Sequence, residues 1–447
     1  MASPGPFPPE IIPEIVFFLT HAFCDLSSVH DPEPRGEWLR VDSGIQYATV
    51  NRVWQDAVER GNFARLHLNR ARLAEVDAIL NQVPRRQKYV RSIYLDVPLP
   101  QALPDDDRKQ HSRVAQQMFE TFLSTLKHWT PGPPVEFVLR CGVGQLPKPL
   151  ELEDPQRILS CPEVNAITSF SGYAISGATM CTLLSRLPAV RIVDMGCWIE
   201  GDWCPARREF AQALTNITHA LDYFHIEGDS PGNRLQQYSQ QPTQFEKRPD
   251  ELSLALGVLS QRVRHFEIGG FALSDDLFLE HNVTPSSLTV TKITAAHWTR
   301  LETFCIIYTS VTPSGVRWFH PHPSDPEWEV TSRTLQQYYL TVARAALEMP
   351  RLQQMKLMVL TRDKGWHKFW YCSGAGMSMG TPKVLWTSNP VFVPDDEVRA
   401  AWCEVAQRYQ PGKELEIEIL QDEYPTGTLF EAEFERTLPN WWDYATI

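Results

Sequence analysis

The sequence predicts an α/β protein in which a small helical module precedes an irregular solenoid of parallel strands and helices. Three observations lead to this prediction. Strand-like apolar runs recur at intervals of roughly 30 to 50 residues, helical runs precede most of them, and the links between the two are short. Units of this kind cannot bury their apolar faces alone, so they must stack on one another. A compact α/β domain with the same alternation is the alternative.

The strand candidates alternate apolar and polar residues or are apolar throughout. They cover residues 90–95, 135–139, 190–195, 221–226, 263–268, 301–306, 352–357 and 415–420. Helices are predicted over residues 179–187, 210–220, 252–260 and 334–349, each leading into a strand within a few residues. Such alternation favours a parallel sheet with covering helices. The pattern is similar to that of leucine-rich-repeat proteins, although the strict signature with its Asn position is absent.

The chain divides into three predicted regions. Residues 1–66 form the helical module, residues 67–362 form the repeat region, and residues 363–447 form its C-terminal part. In that last part we expect an antiparallel β insertion at 369–372 and 384–387, a final helix–strand unit, and an acidic tail rich in aromatic residues. From Asp395 onward the chain has 13 acidic residues and 4 basic ones, so most of the net negative charge lies there.

Two helices are predicted in the N-terminal module. The first carries Ile11, Ile15 and Leu19, which recur every four residues and therefore share one helical face. The second runs from about residue 43 to residue 60, carries Val50 and Trp54 on an apolar stripe, and ends at Gly61-Asn62. Two short helices make a poor independent core, so this module needs a partner or its neighbouring domain.

The N-terminal pattern resembles an F-box. The stretch opens Phe7-Pro8-x-Glu10-Ile11, with Phe7 where the family usually has Leu, and it closes on Val50-x-x-x-Trp54. The resemblance covers about the first 65 residues, and the flanking sequence is similar to F-box-type proteins of filamentous fungi. Carried over by position, the contacts to the Skp adaptor, or their immediate support, fall on Phe7, Pro8, Ile11, Ile15, Val50 and Trp54.

The resemblance implies a function as well as a fold. F-box proteins are substrate receptors of cullin–RING ubiquitin ligases: the F-box binds the Skp adaptor, and the rest of the chain captures a protein substrate. We therefore expect a non-catalytic substrate-recognition subunit of a Skp–cullin–F-box ligase. In one alternative, the N-terminal residues only seal the module onto the next domain, and the protein is a binding scaffold with no ligase role.

Composition narrows the function classes further. The net charge of −12 disfavours a protein whose main task is to grip nucleic acid. No run of 18 apolar residues predicts a membrane span, and no secretory signal is recognised. The nine cysteines form no Cys-x-x-Cys pair, which favours reduced thiols and a cytoplasmic or nuclear protein. We expect no cofactor and no metal site.

Catalytic motifs are few. Gly376-x-Ser378-x-Gly380 matches a hydrolase pattern, but that chemistry needs a helix after the serine, and residues 381–386 are typical of a loop and a strand. No histidine follows His367. A serine hydrolase using Ser378 is therefore the weakest alternative. The run from Asp105 to Asp107 is predicted to be a solvated turn, and Asp395 is predicted to start a helix.

The second half of the chain is rich in tryptophan. Exposed aromatic residues are favoured anchors at protein interfaces, although most tryptophans in a globular protein are buried. We therefore interpret this surplus as mainly core, with a minority of binding residues. The residues concerned are Trp198, Trp203, Trp298, Trp318, Trp328, Trp366, Trp370, Trp386, Trp441 and Trp442.

Overall fold

The structure is a computed structural model of a mixed α/β protein whose strands are mostly parallel. It describes residues 52–97, 105–129, 132–141, 150–198, 203–228, 249–278, 281–284, 287–292, 298–309, 312–314, 318, 328–360, 366–374 and 380–421. The chain divides into two compact units, Met1–Met195 and Gly196–Ile447. The predicted boundaries at residues 66 and 362 do not coincide with this division and stay predictions.

The first unit contains a parallel sheet. Its strands pair in the order β1 to β4, each parallel to the next, and β5 contains the division between the units. The strands are β1 (Arg65–Leu68), β2 (Ser92–Val97), β3 (Val135–Cys141), β4 (Ile167–Ser176) and β5 (Ile192–Trp198). The helices are α1 (Arg52–Ala64), α2 (Arg70–Val76), α3 (Pro84–Gln87), α4 (Asp105–Leu126), α5 (Pro155–Leu159) and α6 (Gly177–Leu184), with a π-helical turn at Asp77–Asn81.

Two expectations for the first unit are wrong. The predicted turn at Asp105 is the start of α4, a helix of 22 residues. Carboxylates are favoured in the first turn of a helix because of its dipole, so the same residues suit either structure. Helix α1 continues through Gly61 and ends at Ala64. Glycine disfavours a helix by only about 1 kcal/mol relative to alanine, which tertiary contacts readily overcome.

The second unit combines parallel and antiparallel pairing. Strands β6, β7, β10 and β11 are parallel neighbours in that order, whereas β12 runs antiparallel to both β11 and β13, and β14 is parallel to β13. The predicted antiparallel insertion is therefore confirmed. The strands are β6 (Leu221–Gly228), β7 (Val263–Phe271), β8 (His281–Thr284), β9 (Ser287–Lys292), β10 (Thr303–Tyr308), β11 (Gln354–Leu360), β12 (Trp366–Cys372), β13 (Lys383–Asn389) and β14 (Glu416–Gln421).

Two helices of the second unit begin at capping residues that the sequence supplies. Asp250 accepts a hydrogen bond from the backbone N–H of Ser253 at 2.8 Å, and Asp395 accepts one from Val398 at 2.8 Å. The predicted helix start at Asp395 is confirmed. The helices are α7 (Trp203–Leu214), α8 (Glu251–Ser260), α9 (Trp328–Ala346) and α10 (Asp396–Tyr409), with a 3₁₀ turn at Asp275–Phe278.

A recurring spacing explains why one face of each sheet is buried. Apolar residues occupy positions i, i+3 and i+5 around the start of the strands, and each is at most 4% exposed. Residues of the opposite parity are mainly half-exposed. Each strand therefore gives its apolar side chains to the core and leaves a more polar face outside. Five such triplets are Val90/Ile93/Leu95, Leu221/Phe224/Ile226, Val263/Phe266/Ile268, Leu301/Phe304/Ile306 and Leu352/Met355/Leu357.

Aromatic side chains fill the C-terminal core of the second unit. The rings of Phe369 and Trp402 lie 4.7 Å apart, and those of Phe369 and Trp386 lie 5.3 Å apart. The Tyr339 hydroxyl hydrogen-bonds to Nε2 of His367, which is buried. Burial lowers the pKa of His367 to about 3, so its imidazole is neutral in the folded protein at pH 7.

Candidate functional site

The predicted adaptor-binding residues lie mostly outside the described part of the chain. This holds for Phe7, Pro8, Ile11, Ile15 and Val50. Trp54 is described: it lies in the first turn of α1 and is half-buried.

Helix α1 is fastened to the first unit by a buried carboxylate. Glu59 is 6% exposed and accepts hydrogen bonds from Nη2 of Arg85 at 3.2 Å and from Nε and Nη2 of Arg86 at 3.3 and 3.0 Å. The Tyr89 hydroxyl donates to Asp56 on the same helix. The Arg86 guanidinium also lies over the ring of Phe63, 5.1 Å from its centroid. Anything bound to α1 is therefore tied to α3 and the segment that follows it.

The outer face of the first sheet carries a cluster that we call the aromatic surface. It consists of His67, Tyr94, Arg140, Tyr173 and Asp194. The ring of Tyr94 is stacked on that of His67, with centroids 4.6 Å apart and an interplanar angle of 7°. The Arg140 guanidinium lies 4.3 Å from the centroid of the same tyrosine ring. The Tyr173 hydroxyl donates to Asp194, while 48% of the Tyr173 residue stays exposed.

The composition of the aromatic surface suits a protein interface. Tyrosine and arginine dominate the binding energy of protein interfaces because they offer large, rigid contact areas with polar ends. Cation–π and ring-stacking contacts hold Tyr94 in one orientation before a partner arrives. Sequence reasoning missed this cluster, because β1 and β4 were not predicted and only the strand register brings these side chains together.

The second unit has a more polar outer face. The Tyr223 hydroxyl donates to Oε2 of Glu267 at 3.1 Å, and Nδ1 of His265 lies 3.2 Å from the hydroxyl of Thr303. Cys305 is the register partner of Glu267 on the next strand. A cysteine, a histidine and a carboxylate on neighbouring strands are the residue types of a nucleophilic site.

The electrostatics of this group disfavour nucleophilic catalysis. Burial raises the pKa of the Cys305 thiol, and the negative charge of Glu267 raises it further. A reactive cysteine needs a lowered pKa, because the thiolate is the nucleophile. Burial lowers the pKa of His265 to about 4, with Arg264 adding to the effect. Neither the thiol of Cys305 nor the imidazole of His265 is therefore charged at pH 7.

The remaining candidates are a metal site, a membrane span, the predicted serine nucleophile and the predicted tryptophan anchors. Within them, no group of three or more His, Cys, Asp or Glu side chains is arranged to hold a metal ion. No described helix combines the length and the apolar character that crossing a bilayer requires. Ser378 lies outside the described residues. Of the tryptophans, Trp298, Trp318, Trp366 and Trp386 are buried, whereas Trp370 is half-buried on the outer face.

Two comparisons with known proteins add to this description. The model of a family described as a family of unknown function (DUF6546) matches residues 215–429, which is less than half of the chain. No curated protein matches the chain. The family match lies within the second unit and indicates no particular activity.

Proposed function

We propose that this protein is a substrate-recognition subunit of a Skp–cullin–F-box ubiquitin ligase. The observation that carries the proposal is the N-terminal pattern from Phe7-Pro8-x-Glu10-Ile11 to Val50-x-x-x-Trp54. Within it, Phe7, Pro8, Ile11, Ile15, Val50 and Trp54 contact the Skp adaptor or support that contact. The repeat region, a leucine-rich-repeat-like solenoid in this proposal, captures a protein substrate in the cytoplasm or nucleus.

The proposed mechanism is proximity. A receptor of this kind performs no chemistry of its own but holds the substrate beside the ubiquitin carrier of the ligase, which converts a bimolecular transfer into one at high effective concentration. The bonds from Arg85 and Arg86 to Glu59 support the proposal. A rigid link between α1 and the sheet would keep adaptor and substrate in a fixed geometry.

The aromatic surface is the proposed substrate-binding face of the first unit. Its tyrosines and Arg140 have the chemistry of interface anchors, and they lie on the sheet face opposite the buried residues Ile93 and Leu95. A protein-binding scaffold would use the same surface, so this feature does not distinguish the two functions. Binding of the Skp adaptor distinguishes a ligase subunit from a scaffold.

Co-purification with the Skp adaptor tests the proposal. Tagged wild-type protein should retain the adaptor, and Pro8→Ala combined with Ile11→Asp should lose it. Val393→Asp is the matched control, because Val393 is 52% exposed and far along the chain from the F-box pattern. If the wild-type protein retains no adaptor, or if the double variant retains as much as the control, the ligase function is refuted and the scaffold function replaces it.

A further inference from the structure

A cavity of about 240 Å³ opens at the edge of the first sheet. It lies between the end of α1, strand β1 and the segment from α2 through the π-helical turn. We call it the edge cavity. One water molecule occupies about 30 Å³ in the liquid, so the cavity has room for about eight water molecules or one large side chain.

The walls of the edge cavity differ in chemistry. The apolar lining includes Val76, Ile79 and Leu80, of which Ile79 is 38% exposed although it is a large aliphatic residue. The basic lining residues are Arg65 and Arg72. Glu75 also lines the cavity, so the two arginines leave a net positive charge of one.

Arg72 is held in place at this opening. Its backbone N–H donates to the side chain of Asn69, the N-cap of α2, at 2.9 Å. Its Nη1 donates to the carbonyl oxygen of His67 on β1 at 3.3 Å. A guanidinium has five N–H donors, so others remain for a carboxylate of a bound molecule.

His67 connects the edge cavity with the aromatic surface, because it lines the cavity and also stacks on Tyr94. Burial lowers the pKa of His67, and the nearby charges of Arg140, Arg72 and Arg65 add to this effect, while Asp96 opposes it. The imidazole is therefore neutral at pH 7, and the positive charge of the region comes from arginines. A peptide that binds across the aromatic surface can therefore continue into the edge cavity.

We propose that the edge cavity binds a short acidic peptide segment, with one apolar side chain inside it and a neighbouring carboxylate at Arg65 and Arg72. The apolar walls contribute by removing the side chain and the cavity from water. The arginines select the flanking negative charge. This inference rests on the proposed function, because it names the substrate class that the receptor recognises.

Fluorescence polarisation of labelled peptides tests the inference. The probes are seven-residue peptides with a central Leu, Phe or Trp between glutamates, with two controls: one that has Ala at the centre, and one that has lysines in place of the glutamates. At low salt the full-length protein should bind the acidic peptides saturably. Replacement of the central residue by Ala should weaken binding about fivefold or more, and the lysine peptide should not bind.

Protein variants locate the binding site. Arg72→Glu should weaken binding of the acidic peptides about tenfold or more. Lys109→Glu, at an exposed position of α4, makes the same change of charge outside the cavity and should leave binding within about twofold. Ile79→Glu, also at an exposed position, should weaken binding as well. It replaces Arg72→Glu as the test if that variant does not fold. Circular dichroism melts verify folding.

Several results would overturn the inference. They are absence of saturable binding to the wild-type protein up to about 1 mM peptide, equal binding to the wild type and both cavity variants, and equal loss with Lys109→Glu. Co-purification of the Skp adaptor with the wild-type protein separates the two proposals. If the wild-type protein retains the adaptor but binds none of the acidic peptides, only the edge-cavity inference fails.

Discussion

Replacing Glu59 by Gln is expected to loosen helix α1 while the rest of the first unit stays folded. Glu59 accepts hydrogen bonds from two arginines, and its own side chain is 8% exposed. The substitution keeps one acceptor oxygen but removes the negative charge. The arginines then lose a charged partner. The substituted side chain has an NH2 group in place of one carboxylate oxygen, and that group cannot accept a hydrogen bond from either arginine.

The magnitude follows from the exposure of the three side chains. Breaking a fully buried ion pair costs about 3–5 kcal/mol, because the remaining charge stays out of water. Here Arg85 and Arg86 are 46% and 26% exposed, so water can solvate them after the substitution. Hydrogen bonds to charged groups contribute about 1.5–3 kcal/mol each, and Gln keeps part of this. We therefore expect α1 to lose about 2 kcal/mol.

Hydrogen exchange measured by mass spectrometry is the appropriate assay, because it reads local opening in a protein of two units. A loss of about 2 kcal/mol should speed exchange of the α1 amides about 30-fold. Peptides from β3 should exchange as in the wild type. Arg60→Gln, which breaks the exposed i,i+4 pair with Asp56, is the control and should change exchange less than about threefold. Unchanged protection of α1 in Glu59→Gln would refute the reasoning.

Three further changes have expected outcomes. When the pH falls from 8 to 5, the free energy of unfolding of the second unit should decrease by about 2 kcal/mol because of His367. The pKa of this histidine is about 3 in the folded state and 6.5 in the unfolded state, so the unfolded state binds the proton first and is favoured at low pH. Urea titrations check this, and a His367→Phe variant with an unaltered pH slope would contradict it. Arg207→Met should lower the free energy of unfolding by about 3 kcal/mol, because Asp250, whose side chain is only 12% exposed, loses its arginine partner. Arg208→Met, at a side chain that is 61% exposed, should lower it by less than about 1 kcal/mol. Thermal melts measure both changes, and equal losses would contradict the prediction. Tyr94→Ala should abolish co-purification of substrate proteins but retain the adaptor, whereas Tyr94→Phe should retain both; substrates that remain bound to Tyr94→Ala would exclude the aromatic surface.

Local patterns were sufficient to predict most strands and helices. The triplet Leu221/Phe224/Ile226 and its equivalents place apolar residues on one face, and a strand is the structure in which that face can be buried. The strand β4 was missed because Ser171 and Gly172 interrupt its apolar pattern. Gly172 also lies in close packing: a Cβ there would be 3.0 Å from the sulfur of Met180 and 3.2 Å from the ring of Phe170, so these side chains would have to shift to accept a larger residue.

The candidate sites were much less predictable than the elements. Glu59 reads in the sequence as one more polar residue of a helix, and only the approach of Arg85 and Arg86 makes it a buried anchor. The edge cavity depends on the short strand β1, whose four residues carry too little pattern to be recognised. Its lining residues come from one short stretch of chain, yet their common orientation is set by packing.

By itself the sequence determined the α/β character and the alternation of most elements, because these depend on neighbours within about a dozen residues. The tertiary structure alone decided which strands pair, and it brought Tyr94, Arg140 and Tyr173 from three strands onto one surface. The physical reason is that hydrophobic burial is non-directional and can be read from composition and spacing. Stacking, ion pairing and cavity shape require side chains at defined distances, which only strand register supplies.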